Sequence, residues 1–216
     1  MVYFSADRAG WQAENMIKLD MFTISPCAAG CGRPAISGSH ICFLHQANQE
    51  QEIKRIAAFI AKNKTIKDIS VTGMRFSEVD FSGRQFDGCN FREVNFSKCM
   101  FTGSLMRMCF FDFAEFTNCD FSKSDLQFLS FAGAQISGCS FEGSELVHAN
   151  FLGAGISETS FSASNLYNSR FINADIKNSK FVDCNLKRVY FVNSFQEKID
   201  FKSSNTAEAI FELEDL

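Results

Sequence analysis

Ser144-Glu145-Leu146-Val147-His148 and, further along, Ala174-Asp175-Ile176-Lys177-Asn178 share one pattern: a small residue, an acid, a large aliphatic residue and two variable positions. In steps of five from Leu146, every position from Ile66 to Phe201 is apolar except Gln196, giving 28 consecutive slots, 17 of them Phe. A five-residue step turns an α-helix by about 500°, so a helix would scatter these side chains around its circumference. A strand fails as well, because five is odd and each step would change face. The residue two before each slot is nearly always small, as at Cys89, Cys99, Ser104, Cys109, Ala114, Cys119, Ser124, Ala134, Cys139, Ser144, Ala149 and Ala154. A large and a small residue recurring together describe a chain that turns a corner every five residues and points both inward.

This pattern resembles that of the pentapeptide-repeat family (small residue, Asp or Asn, Leu or Phe, two variable positions), and the resemblance runs through about two-thirds of the chain. It implies an all-β fold, a right-handed quadrilateral β-helix or solenoid with four pentapeptides per coil. At the resulting spacing of 20, one face carries Phe91, Phe111, Phe131, Phe151, Phe171 and Phe191. The opposite face carries Phe81, Phe101, Phe121, Phe141, Phe161, Phe181 and Phe201. Leu126, Leu146, Leu166 and Leu186 fall on a third face, and Ile136, Ile156 and Ile176 on the fourth. Coils stacked about 4.8 Å apart would make seven of them a rod roughly 34 Å long. The ends of such a rod need covering. Ile53, Ile56, Ala57, Ile60 and Ala61 lie at helical spacing over residues 51–62, an amphipathic cap before the first coil. The expected organisation is an N-terminal segment, 1–26; a small zinc-binding-like module with the capping helix, 27–65; the β-helix, 66–205; and a short acidic C-terminal cap, 206–216.

The rest of the composition narrows the function classes. The chain has 216 residues with 26 Phe but only three Tyr, one Trp and two Pro, a bias that fits one structural slot filled repeatedly. A net charge of −4 is too mild for a wholesale DNA-binding or membrane-surface role. No apolar run approaches the roughly 20 residues of a membrane helix, and the N-terminus lacks the pattern of a secretory signal. Six of the nine Cys occupy the small inward slot and read as core residues with reduced thiols. A cytoplasmic setting is expected, with export as an effector without a cleavable signal left open.

The other three Cys form Cys27-x3-Cys31-x10-Cys42-x2-His45, two close pairs separated by a loop containing Gly and Ser. Four soft or borderline ligands at this spacing suit a closed tetrahedral site, and a module this small lacks the core to fold unaided. The reading is a structural Zn2+ site similar to short treble-clef or knuckle-like zinc motifs; chance grouping, or a disulfide with a spare thiol, is the alternative. His40 is too close to Cys42 in sequence to be counted as a ligand.

Catalysis is not expected. His148 is the sole His of the repeat region, and no Ser/His/Asp or Cys/His set can be assembled around it. Gly133, Gly138, Gly143 and Gly153 fall at corners rather than in a phosphate loop, so no small-molecule substrate is expected either. Outward apolar residues gather instead on two adjoining faces: Met108, Phe128, Val147 and Tyr167 on one; Phe110, Phe113, Leu152, Ile172, Tyr190 and Val192 on the other. The other faces read as mostly polar, with residues such as Thr117, Asn118, Lys123 and Gln135. We expect a protein partner, or a second copy forming a homodimer, to bind around Phe110, Phe113, Phe128, Val147 and Tyr167. Residues 1–25, with Trp11, Met16, Ile17, Leu19, Met21 and Phe22, could cover that side instead.

Two nucleic-acid-related alternatives remain. Asp112, Glu115, Asp120, Asp125, Glu142, Glu145 and Glu158 are opposed by Lys123 alone between residues 111 and 160. The family resemblance implies a possible DNA mimic, since some members imitate DNA and bind type II topoisomerases. The zinc-like appendage, the lack of long projecting loops and the basic stretch Lys177, Lys180, Lys187 and Arg188 depart from those members. Arg33, Lys54, Arg55, Lys62, Lys64 and Lys67 raise nucleic-acid binding through the module, against the plainer reading of a solvated helix face.

Overall fold

Every fifth residue from Asp68 to Ser203 has a positive φ, and 20 of these residues are not glycine. Each such left-handed residue turns a corner, and four corners close a coil. In the computed structural model, which describes residues 25–212, the result is a right-handed parallel β-solenoid of about seven turns. Thr65–Lys67, Gln85–Asp87 and Leu105–Arg107 pair in parallel on one side. Arg75–Ser77, Asn95–Ser97, Glu115–Thr117, Gln135–Ser137, Gly155–Ser157, Asp175–Lys177 and Phe195–Glu197 form a seven-stranded parallel sheet on the opposite side. The other two sides are linked by single bridges at a register of 20, such as Asn90↔Phe110 and Asp120↔Ser140.

The register stacks like on like inside. Phe81, Phe101, Phe121, Phe141, Phe161 and Phe181 form one column with neighbouring ring centroids 4.4–5.0 Å apart. Phe91 to Phe191 form the opposite column at 4.6–5.2 Å. Rings of the two columns meet edge to face, as Phe141 does with Phe151 at 6.3 Å and 89°. The expected faces are those observed.

The small slot has a hydrogen-bonding reason as well as a steric one. The hydroxyls of Ser124, Ser144 and Ser164 donate to the carbonyls of Phe101, Phe121 and Phe141 at 2.7, 2.8 and 2.6 Å. Cys184 Sγ donates in the same way to the Phe161 carbonyl at 3.0 Å. Each of these carbonyls also accepts a backbone amide, from Ser104, Ser124, Ser144 and Ser164 respectively, so the side chain adds a second bond and finds in it the partner its own buried O–H or S–H needs. Burial pushes the Cys184 thiol up to about 11 and raises that of Cys89 well above its ordinary value. The thiols of this slot pack and donate.

The N-terminal module is fused to the rod. Helix α1 spans Gln49–Lys62, two residues longer than the periodicity suggests because Asn48 caps it, its side chain accepting from the Gln51 amide at 3.0 Å. Ile56 and Ile60 of α1, with Ile36 and Phe43 of the preceding loop, belong to the same buried cluster as Ile66 and the Phe columns. Ser37 extends the coil by one rung: its amide donates to the Ser70 carbonyl at 2.8 Å, and its hydroxyl accepts from the Ser70 amide at 2.7 Å.

The C-terminal end differs from expectation. Beyond the short 3-10 turn Thr206–Glu208, Ile210 bridges Tyr190 and Phe211 stacks on Phe191 at 5.2 Å. The Phe column therefore gains a member inside the stretch read as a cap; residues 213–216 lie outside the described ones. Gln196, the one polar member of the five-residue series, sits on the last strand of its sheet among the described residues and donates to Ser194 at 2.9 Å.

Candidate functional site

Two features stand out from the regular rod. The first is the thiol–imidazole group of the module. Pro26 bridges Pro34 in antiparallel fashion, and the Gly30 amide closes a turn on the Cys27 carbonyl at 2.9 Å. Cys42 opens a short 3-10 turn, Phe43–His45, that swings His45 back toward it. The ligand atoms of Cys27, Cys31, Cys42 and His45 all lie within 4.8 Å of one another. His40 is outside this group; its carbonyl accepts from the Ala28 amide at 2.8 Å. The Cys42 amide points at Cys27 Sγ from 3.2 Å and pulls that thiol down to about 6, with His45 adding to the effect.

The second feature is one side of the rod, the side whose inward column is Phe91, Phe111, Phe131 and Phe151. The exposed aromatic residues Phe113 and Phe128 turn different corners and so flank this side. At one edge the corner residues of successive coils are Met108, Phe128, His148, Asn168 and Arg188. Phe128 stacks on His148 at 4.9 Å and 10°, His148 meets Tyr167 edge-on at 6.0 Å, and Asn168 hydrogen-bonds His148 Nδ1 at 2.6 Å. At the other edge Phe113 lies across Gly133, where an added Cβ would sit 2.6 Å from the ring. Between the edges the Arg92 guanidinium covers the Phe110 ring at 4.6 Å and pairs with Asp112 at 3.0 Å. Phe113 is 67% exposed, Phe128 63% and Met108 58%. Phe110, Val147 and Tyr167 are half-buried.

One expectation about this surface fails. Val192 is only 4% exposed, whereas Leu152, at the same position of an earlier coil, is 44% exposed. Met100 and Phe195 are exposed on other sides, so those sides are not uniformly polar; Phe195 has the Lys177 ammonium over its ring at 5.1 Å. The proposed covering by residues 1–25 falls almost wholly outside the described residues.

Many charges are engaged within the chain. Arg107 grips Asp125 with two bonds of 2.7 Å, holding its carboxyl below the usual range. Glu115 accepts from Asn95 at 2.6 Å, and Glu145 accepts from Asn165 at 2.8 Å. In the module, Lys54 pairs with Glu50 at 2.6 Å and Arg55 with Glu52 at 2.8 Å, while Lys64 donates to the Gly83 carbonyl.

Comparison with known proteins supports the fold. Residues 69–151 match the family described as a pentapeptide repeat region, and residues 156–191 match pentapeptide repeats. No curated protein matches the sequence. Among solved structures, a trypsin-treated form of QnrB1, a plasmid-mediated fluoroquinolone resistance protein, superposes with a TM-score of 0.57 at 21% identity, covering 65% of this chain and 81% of that one. A pentapeptide repeat protein of the Arabidopsis thaliana thylakoid lumen is 26% identical over 47% of this chain and 68% of that one, with a TM-score of 0.37. HetL, from the cyanobacterium Nostoc, is 12% identical over 72% and 94% of the two chains, with a TM-score of 0.32.

Proposed function

Because this chain belongs to the pentapeptide-repeat family, we propose that it is a non-catalytic scaffold that binds a protein partner, or a second copy of itself, on the side flanked by Phe113 and Phe128. One observation carries this reading. Met108, Phe113 and Phe128 occupy corner positions with φ of +51°, +58° and +60°. A left-handed backbone costs an L-residue with a bulky side chain roughly 1–2 kcal/mol, and glycine or asparagine adopts it more readily. Glycine and asparagine do fill many of the other corners. Phe128 stacks on His148 and Phe113 lies over Gly133, but more than half of each ring stays exposed, and large apolar side chains held at strained corners with most of their surface free suit an interface core. The rod is ordered before binding, so docking costs little conformational entropy.

The inward thiols favour the non-catalytic reading, since burial and hydrogen bonding occupy them. The cluster of Cys27, Cys31, Cys42 and His45 has a structural role in this reading, and a reducing compartment such as the cytoplasm suits its thiols. DNA mimicry is less favoured: Asp112 and Asp125 are each partly neutralised by an Arg. Nucleic-acid binding through the module is weakened by the internal pairing of Lys54, Arg55 and Lys64. The test exchanges Phe128 and Tyr167 for Ser together. Circular dichroism and the unfolding midpoint should stay within experimental error of the parent, while self-association or partner capture is lost. Retention of every association would refute the assigned surface.

A further inference from the structure

We propose that Cys27, Cys31, Cys42 and His45 bind one Zn2+ in a closed tetrahedral site, with His45 ligating through Nδ1, and that the ion fixes the rung closing the N-terminal end of the solenoid.

Three of the six ligand-atom separations match the edges of such a site, and all six lie within 4.8 Å. With Zn–S near 2.3 Å and Zn–N near 2.0–2.1 Å, tetrahedral angles place two sulfurs about 3.8 Å apart and a nitrogen about 3.5 Å from each sulfur. Cys31 Sγ and Cys42 Sγ are 3.7 Å apart. His45 Nδ1 lies 3.3 Å from Cys27 Sγ and 3.5 Å from Cys42 Sγ. It is Nδ1, not Nε2, that faces the sulfurs. Three thiolates and one imidazole select a borderline-to-soft ion, and four protein ligands leave no open position for a substrate. The amide of Cys42, 3.2 Å from Cys27 Sγ, provides an outer-shell bond of the kind that orients metal thiolates.

The local chain is shaped for this convergence and for little else. Gly30 and Gly32 take φ of +73° and +76° around Cys31, with nothing within 4 Å of an added Cβ, so the backbone bend is what requires them. Between residues 25 and 45 the buried apolar groups are Cys27, Ala35, Ile36, Cys42 and Phe43, too few to fold a loop of this length by themselves.

The loop also carries a structural task. Ser37 lies between the ligands Cys31 and Cys42 and makes both bonds to the Ser70 backbone. Arg55 of α1 donates to the Ser37 carbonyl at 2.7 Å and holds the rung from behind. An ion joining the two ends of the loop would hold Ser37 over the first coil and cover an otherwise open strand edge.

The inference is independent of the partner surface, so failure of either leaves the other standing. The test uses the full-length, reduced protein, stripped of metal and titrated with Zn2+ against a chromophoric chelator, then with Co2+. Expected are one ion per chain, intense visible bands of tetrahedral Co2+ and charge-transfer absorption proportional to three thiolates. Cys31→Ser, at the exposed ligand, should reduce that absorption by a third and weaken Zn2+ binding by at least about 100-fold, beyond the loss of an outer-shell partner. Nitrogen NMR of the Zn2+ form should show His45 protonated at Nε2. Zn2+ should slow amide exchange at Ser37 and Ser70 while leaving the coils around Phe141 unchanged. Failure to take up Zn2+, weak octahedral Co2+ bands, or a native chain with Cys31 and Cys42 joined as a disulfide would overturn the site. Unchanged exchange at Ser70 on Zn2+ binding would overturn its role in closing the rod.

Discussion

Replacing Phe141 by Ala should be among the most damaging single changes this chain can suffer. The ring is fully buried and stacked on Phe121 at 4.8 Å and Phe161 at 5.0 Å, with Phe131 and Phe151 edge-on at 6.0 and 6.3 Å. Truncation removes both stacking partners' contacts and leaves a cavity in a column whose spacing is set by backbone pairing, so collapse is restricted. The expected cost is about 3–5 kcal/mol, a large share of a typical domain's stability. Phe201 provides the control. It is half-buried near the end of the same column, with Phe181 tilted at 5.5 Å on one side. Its replacement by Ala should cost about 1–2 kcal/mol, in proportion to its smaller burial. Guanidinium unfolding of both variants measures the difference, provided the slope of the transition is unchanged. Solenoids can unfold in parts, so amide exchange across coils 121–161 should accompany it. A Phe141→Ala cost no larger than that of Phe201→Ala would refute the continuous-column account of stability.

The small slot supplies a paired test. Ser144→Ala removes the second donor to the Phe121 carbonyl, which keeps the Ser124 amide, and should cost about 1 kcal/mol, whereas Ser169, whose buried hydroxyl has no hydrogen-bond partner among the described residues, should lose nothing or gain slightly on conversion to Ala. Chemical denaturation checks both; equal costs would refute the carbonyl-capping role. On the surface, Asp125 has its pKa lowered chiefly by the Arg107 hydrogen bond. Its contribution is therefore fully present above the unfolded pKa near 4 and lost as pH falls through the lower folded value. For a pair this exposed the amount is below about 1 kcal/mol, and Asp125→Asn should flatten that part of the acid stability curve, as unfolding at stepped pH would show.

The interior was legible because one rule repeats, a five-residue period with a large and a small inward member, and because the family resemblance supplied the four pentapeptides per coil that sort the slots into faces. The exposed edges were less legible. Counting in fives places Phe110, Phe113 and Phe128 outward but does not reveal that Phe113 and Phe128 turn different corners of one side, which depends on the left-handed residue of each pentapeptide. The count also placed Val192 outward though it is buried, and the polar Thr206 slot hid the continuation of the column at Phe211. The four-residue cluster could be read from spacing, since two close pairs across a short loop bring their side chains together almost regardless of path. Which nitrogen of His45 faces the sulfurs could not, because it is set by the turn after Cys42. Nor could the bonding of Ser37 to Ser70, a contact between residues with no repeat to relate them.

The claim that this rod works by presenting an aromatic side to a protein is tested most directly by comparing two variants in one binding measurement. In one, Phe113 and Phe128 become Ser; in the other, Asp112, Glu115, Asp120 and Asp125 become their amides. A partner identified with the parent protein in its native cell, then purified, is titrated against all three by calorimetry at low and moderate salt. The account predicts that the aromatic exchange weakens binding by at least about 30-fold, the approximate equivalent of a 2 kcal/mol hot spot. The acid exchange should change it little, with weak dependence on salt. Binding that survives the aromatic exchange but collapses on neutralising the acids or raising the salt would contradict the account.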